Sequence, residues 1–213
     1  MMRSKLLIVD DHRVFCQGLE AVFRAEPDFE PLTVSNPAQA VGLVVSWLPD
    51  VVIMDMRLGE VSGVDLTKQM TALPSPPTIV VLTAYADTAV ALEAIRAGAV
   101  GFVPKNASVE QVIGAVRAAV LGGSWLPHEL LTKLVSEHQD PGGTPQLIAQ
   151  LTARERQVLG LMVSGLDRNG IAERLNQSPN TVRTHIRNAI VKLNCHSAIE
   201  AVALGLRAGL RPS

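Results

Sequence analysis

Between residues 5 and 121, unbroken apolar runs of four or five residues alternate with stretches whose apolar positions recur every three or four residues. A short run of β-branched and aliphatic residues reads as a strand buried on both faces, and the longer period reads as an amphipathic helix. The runs predict strands at 5–9, 30–34, 50–54, 78–82 and 100–103, with helices near 12–25, 37–47, 62–71, 87–97 and 108–121. Five such βα units predict an α/β fold, a doubly wound parallel sheet with helices on both faces. The last helix is well punctuated: Ser108 stands at its start, Val109, Val112, Ile113, Val116 and Val120 repeat along it, and Gly122-Gly123 ends it.

Beyond this point the pattern changes. Residues 124–138 predict one more helix, and the run from Gln139 to Pro145 has the Gly/Pro composition of an exposed linker. From Leu151 onward the period is helical throughout, with helices near 152–164, 168–175, 179–193 and 197–208. The division expected is 1–122, 123–147 and 148–213: a sheet domain, a helix with linker, and a small all-α domain.

Charge sharpens that division. Residues 1–144 hold 10 Lys and Arg against 16 Asp and Glu, whereas residues 145–213 hold 9 against 4. The net charge of −1 therefore conceals an acidic half and a basic half, and only the second suits a polyanion. Aromatics make up only 3% of the chain, so its core must be built from Val, Leu, Ile and Ala. Cys16 and Cys195 show no metal-ligand spacing and read as reduced, buried thiols. Asp10, Asp11 and His12 interrupt the first apolar stretch, which excludes a signal peptide there, and no run approaches the roughly 18 apolar residues of a membrane span. A cytoplasmic protein with no membrane partner is expected.

The candidate chemistry lies at the strand ends. LLIV delivers Asp10 and Asp11, VVIM delivers Asp55, the run ending near residue 82 delivers Thr83, and GFVP delivers Lys105. Parallel strands present these ends at one edge, where open α/β sheets bind ligands. Clustered carboxylates suit a hard divalent cation, and a neighbouring lysine suits a phosphoryl group. One such residue alone is an ordinary cap or surface group; five in register are a site.

As a set, Asp10, Asp11, Asp55, Thr83 and Lys105 resemble the receiver domain of two-component response regulators, over residues 4–122. The resemblance implies that Asp55 is the phosphoacceptor. Asp10, Asp11, Asp55 and the backbone carbonyl of Arg57 would hold Mg²⁺, Lys105 would pair with a phosphoryl oxygen, and Thr83 and Phe102 would be the switch residues. The segment after Asp55 departs from the usual Met-Pro-Gly and reads Leu58-Gly59-Glu60, so a looser loop is expected. Phe102 also stands where a tyrosine is frequent, and Asn106 where a proline is.

Residues 151–203 resemble a LuxR-type helix-turn-helix, the output domain of NarL/FixJ response regulators. The matching residues include Leu151-Thr152, Arg154-Glu155, Gly165, Ile171-Ala172, Thr181-Val182, His185 and Lys192-Leu193. Physical reading agrees. Ser178 caps a helix with Pro179 at its first position, where the absent N–H costs nothing. Val182, Ile186, Ala189, Ile190 and Leu193 form its apolar stripe, and Arg183, Thr184, Arg187, Asn188 and Val191 form the opposite face. Such a face suits a major groove. The resemblance assigns base contacts to Arg183, Thr184 and Arg187 and phosphate contacts to Thr181 and Lys192, with Arg168 near the DNA backbone. Arg154 and Glu155 read as a packing ion pair, and Gly170 as a costly glycine in a helix interior.

The reading that unites these parts is a response regulator transcription factor and not an enzyme. A sensor histidine kinase would phosphorylate Asp55, a homodimer would bind promoter DNA, and RNA polymerase would be the downstream partner. One alternative makes the receiver a phosphorylation-independent docking or dimerisation module. Another makes it an aspartate-nucleophile phosphatase, but the acid/base aspartate such enzymes carry two residues after the nucleophile is here Arg57.

Overall fold

The computed structural model describes residues 3–84, 88–126, 130, 144–195 and 197–210. Five parallel strands form the sheet: β1 (Ser4–Val9), β2 (Phe29–Val34), β3 (Val51–Met54), β6 (Thr78–Thr83) and β7 (Gly101–Pro104), ordered β2-β1-β3-β6-β7. Along each central strand, alternate side chains enter opposite cores, as the two-residue period requires. Leu7, Val9, Val52, Met54, Ile79 and Val81 pack on one face. Leu6, Ile8, Val51, Ile53, Val80 and Leu82 pack on the other. Helices α1 (Arg13–Ala25) and α5 (Val109–Val120) cover the second face through Cys16, Leu19, Phe23, Val112 and Val116. Helices α2 (Pro37–Trp47), α3 (Gly63–Thr71) and α4 (Thr88–Arg96) cover the first through Ala40, Val44, Val64, Met70, Ala91 and Ala94. Each fully buried Leu, Ile or Val contributes about 1.5–3 kcal/mol to this sandwich.

The five strands and five helices fall where the hydrophobic pattern predicts them. The loop after Asp55 does not. Arg57–Leu58 (β4) and Val61–Ser62 (β5) pair antiparallel as a two-residue hairpin, with Gly59 at φ 64°. A left-handed residue at the first turn position is what a tight hairpin requires, so Gly59 closes a turn instead of loosening a loop.

After α5 the chain is not helical at 124–126. Trp125 runs along the free edge of β7, donating its backbone N–H to Val100 O and accepting from Phe102 N–H at 2.8 Å. This pairing covers what would otherwise be an open sheet edge. The rest of the helix predicted to residue 138, apart from Leu130, and the linker from Gln139 to Gly143 lie outside the described residues. The end of that linker is helical instead: α6 (Thr144–Ala149) places Leu147 and Ile148 in the second core, so the all-α body begins by Thr144.

That body consists of α6, α7 (Ala153–Val163), α8 (Arg168–Leu175), α9 (Pro179–Lys192) and α10 (Ala198–Arg207). Its helix starts are all side-chain capped from α7 onward. Thr152 and Glu155 form a capping box on α7, and Asp167, Ser178 and Ser197 cap α8, α9 and α10. Gly170 is not in a helix interior; it lies in the first turn of α8, where its N–H reaches Asp167 Oδ1 at 2.7 Å.

Candidate functional site

The switch in strand order lies between β1 and β3, and the two central strands end there in Asp10 and Asp55. Both carboxylates are buried. Lys105, one residue past β7, spans them, with Nζ 2.6 Å from Asp10 Oδ2 and 2.8 Å from Asp55 Oδ2. Thr83, the last residue of β6, is buried at the same edge, and Lys105 N–H donates to its carbonyl at 2.7 Å. Phe102 is buried in the core beneath α4. Asp11 is half-buried, and its Oδ1 is enclosed without a hydrogen-bond partner.

These contacts set the electrostatics. Burial pushes the Asp55 carboxyl above its ordinary range; the bonds from Lys105 and from the backbone N–H of Arg57 oppose that shift without cancelling it. Burial would lower Lys105, but its bonds to Asp10 and Asp55 outweigh this and hold the ammonium above its ordinary value. The pocket therefore keeps a firmly charged lysine against a carboxylate whose charge is costly, a state relieved by a further positive centre.

Three contributors escape the strand-end argument. His12 Nδ1 lies 3.1 Å from Asp10 Oδ1 and 2.8 Å from Asp11 Oδ1. Lys105 Nζ sits 4.7 Å from the Phe15 ring centroid, a cation–π contact. Cys16 Sγ donates to Asp10 O at 3.2 Å, and burial pushes that thiol up to about 11. The sequence signal for His12 and Phe15 is their position in the first turn after Asp10-Asp11.

In the second body, α9 carries the predicted faces. Val182, Ala189 and Leu193 are buried, Ile186 and Ile190 are half-buried, and Arg183, Thr184, Arg187, Asn188 and Val191 are exposed. Ser178 Oγ caps α9 by accepting from Thr181 N–H at 3.1 Å. The expected Arg154–Glu155 pair is not formed. Glu155 Oε2 instead accepts from Lys192 Nζ at 2.7 Å, and Arg154 bonds Gln157 and Leu175 O, because Glu155 turns back to close the capping box and faces α9.

The two bodies meet along a seam. Ile199 of α10 packs against Leu92 and Ile95 of α4, with Leu126 alongside. Arg168 donates to Val120 O at 3.1 Å and Arg183 to Pro76 O at 3.4 Å. A cleft of about 640 Å³ separates Arg183, Thr184, Arg187 and Asn188 from Pro74–Thr78 and Gly122–Ser124. Arg168 thus lies half-buried in the seam, not on a free surface.

A doubly wound sheet with an acidic, lysine-bridged crevice, followed by a capped helical body with a basic reading helix, defines a signal-receiving domain joined to a DNA-binding one. Residues 6–117 match the family described as response regulator receiver domain, and residues 149–204 match the bacterial regulatory proteins of the luxR family. The chain is 32% identical to the transcriptional regulatory protein LiaR of Bacillus subtilis, over 95% of this chain and 97% of that one. It is 33% identical to the oxygen regulatory protein NreC of Staphylococcus carnosus, over 95% and 97%. Among solved structures, the response regulator ChrA of a heme-sensing two-component system aligns with 99% of this chain and 100% of its own, at 26% identity and TM-score 0.51. A LuxR-family response regulator from Aurantimonas shares the fold at TM-score 0.58 and 23% identity, over 65% of this chain and 99% of that one. The chain belongs to the NarL/FixJ family of response regulators, DNA-binding regulators of transcription. Among the described residues no helix is long and apolar enough to cross a membrane.

Proposed function

We propose that Asp55 is the phosphoacceptor of this regulator and that its phosphorylation by a sensor histidine kinase frees α9 for DNA. The observation that carries the reading is the Lys105 bridge between Asp55 and Asp10 at the sheet's switch point. The Asp55 carboxylate attacks phosphorus to form the acyl phosphate as the N–P bond of a phosphohistidine protonated on its other ring nitrogen breaks, and neutral imidazole leaves with the electron pair. Lys105 then pairs with a phosphoryl oxygen, and the Thr83 hydroxyl is placed at the same edge to hydrogen-bond another. Phosphorylation adds a charge of about −1.5 to −2 at one point.

The clustered carboxylates of Asp10, Asp11 and Asp55 fit a hard cation. Asp10, Asp11, Asp55 and the Arg57 carbonyl would hold Mg²⁺, which when bound neutralises charge on the phosphoryl oxygens.

The seam explains how the signal travels. Phe102 packs in the same core as Ala91 and Ala94 of α4, and α4 contacts the DNA-binding body through Leu92 and Ile95. Arg183, Thr184 and Arg187 line the cleft shared with the receiver, so a duplex on that face would meet Pro74–Thr78. Drawing Thr83 inward releases α4, the seam loosens, and the reading face is exposed. Arg183, Thr184 and Arg187 then contact bases and Thr181 a phosphate. Lys192 keeps one bond to Glu155 and has two further donors for phosphate. Two copies bind a two-fold-symmetric promoter site and act on RNA polymerase. A cytoplasmic location fits this role.

The test is DNA selection with and without an acyl phosphate or beryllofluoride, using wild type and Asp55→Asn. Expected is phosphodonor-dependent enrichment of one palindromic sequence in wild type and none in the variant. Equal enrichment under all conditions overturns the phosphoswitch in favour of a docking module.

A further inference from the structure

Arg168 stands at the junction of two hollows in the seam. One is the cleft beside α9; the other is a cavity of about 440 Å³ between the receiver and the DNA-binding body, and Arg168 lines both. Small-ligand sites span roughly 300–1,000 Å³, so the cavity is large enough for one. Its walls are mainly apolar. Leu121 and Leu126 line it from the receiver side, and Met162, Ile171, Ile186 and Val202 line it from α7, α8, α9 and α10. Leu121 remains 42% exposed although the two bodies are docked.

The polar end of the cavity is as well defined. Arg168 Nε is enclosed without a hydrogen-bond partner, and a Cβ on Gly122, itself part of the wall, would lie 3.3 Å from it. Buried donors are normally paired, so this N–H is left for an acceptor that the protein does not supply. The nearby carboxylates are engaged elsewhere: Asp167 Oδ1 accepts from Gly170 N–H, and Asp50 Oδ2 accepts from Lys5 N–H. Arg168 and Arg183 share the cleft, and among the described residues each bonds a backbone carbonyl and no carboxylate. An apolar chamber that ends at an unpaired guanidinium donor suits a ligand with an apolar body and one anionic head. A planar carboxylate matches the guanidinium fork. With Asp167 and Asp50 also lining hollows beside Arg168, one negative charge suits the site better than the two of a phosphate.

We propose that this cavity is an effector site for an amphipathic monocarboxylate, with its apolar body in the chamber and its carboxylate on Arg168. Because the walls come from both bodies, such a ligand binds the docked arrangement and holds α9 back from DNA. That second step rests on the reading that docking limits DNA binding; occupancy of the cavity does not.

The experiment titrates the full-length, unphosphorylated protein with octanoate, octan-1-ol and inorganic phosphate by calorimetry, and repeats a DNA gel shift with octanoate present. Wild type should bind one octanoate per chain, at least about tenfold more tightly than the alcohol, and phosphate should not displace it. Arg168→Gln should bring acid and alcohol within about threefold of each other, whereas a variant that only loosened the seam would weaken both alike. Ala118→Leu, which fills the cavity from half-buried Ala118 of α5, should abolish binding of both. At about ten times its Kd, octanoate should weaken DNA binding by up to about tenfold. Absence of saturable octanoate binding to wild type, or binding that Ala118→Leu leaves intact, overturns the site. Equal affinity for acid and alcohol in wild type overturns the contact with Arg168, and displacement by phosphate overturns the choice of ligand in favour of a plain anion. Bound octanoate with unchanged DNA affinity overturns its hold on the docked state; if Ile199→Ala also leaves DNA affinity unchanged, the docking reading itself has failed and the site stands.

Discussion

Single side chains carry two different kinds of burden in this protein, and Glu155 carries both a structural one and an indirect functional one. It is 3% exposed, yet Oε2 accepts from Thr152 N–H at 2.8 Å and from Lys192 Nζ at 2.7 Å. Burial would raise its pKa, but these bonds outweigh burial and hold it below the ordinary 4.5. A depressed carboxyl favours its charged form in the folded state, so its contribution is complete above about pH 4.5 and fades as the pH drops below that. Glu155→Gln should cost about 1–3 kcal/mol at pH 7, and the difference from wild type should shrink as the pH falls below 4.5. Thermal unfolding of both proteins across that range checks the sign. A gap that widens on acidification would show that Glu155 is not the titrating partner. The same pair ties α7 to the end of α9, so the reading helix is anchored by an interaction that the sequence suggested for Arg154.

At the scale of elements, the loop after Asp55 depends on one small residue. A Cβ on Gly63, the first residue of α3, would lie 2.1 Å from the carbonyl oxygen of Asp55 and 2.8 Å from Met56 Cα. Both atoms are backbone, so no rotamer change relieves the clash. Gly63→Ala should therefore cost about 2–3 kcal/mol and also slow phosphoryl uptake at Asp55, since the loop must shift to admit a methyl group. Denaturant unfolding together with the rate of labelling by an acyl phosphate reads both effects. Normal stability and normal labelling would mean that the loop yields freely. This dependence was hidden in the sequence, where Gly63 is one glycine among 16. Strands and helices were legible because burial on both sheet faces leaves an uninterrupted apolar run, and because caps such as Ser108 and Ser178 mark helix starts. The strand-end residues were legible because parallel topology sends Asp10, Asp55, Thr83 and Lys105 to one edge. The β4–β5 hairpin, the edge pairing of Trp125 and the Lys192–Glu155 bond were not, since each arises from contacts between segments whose local pattern says nothing of the partner.

For the whole molecule, the decisive quantity is the balance between the docked arrangement and one in which α9 is free. The docked state is held by an apolar contact of Leu92, Ile95 and Ile199 and by two arginine bonds to backbone carbonyls, Arg168 to Val120 and Arg183 to Pro76. Such a seam is small beside either core, which suits the proposed switch: a phosphoryl group at Asp55 could overturn only an equilibrium of a few kcal/mol. Ile199 is 3% exposed in the docked state but contributes to neither of the main clusters of the DNA-binding body. Replacing it with Ala thus removes about 1.5–3 kcal/mol from docking while sparing that body's own core. If docking limits DNA binding, Ile199→Ala should raise the affinity of the unphosphorylated protein about 10- to 100-fold and shrink the further gain from phosphorylation by a similar factor. The ceiling is set by the fraction already open, because apparent affinity scales with the competent population. Gel-shift titration before and after beryllofluoride measures both quantities, and small-angle scattering reports whether the variant has opened. A variant that opens without gaining affinity would sink the steric account and place phosphorylation's effect in pairing two copies.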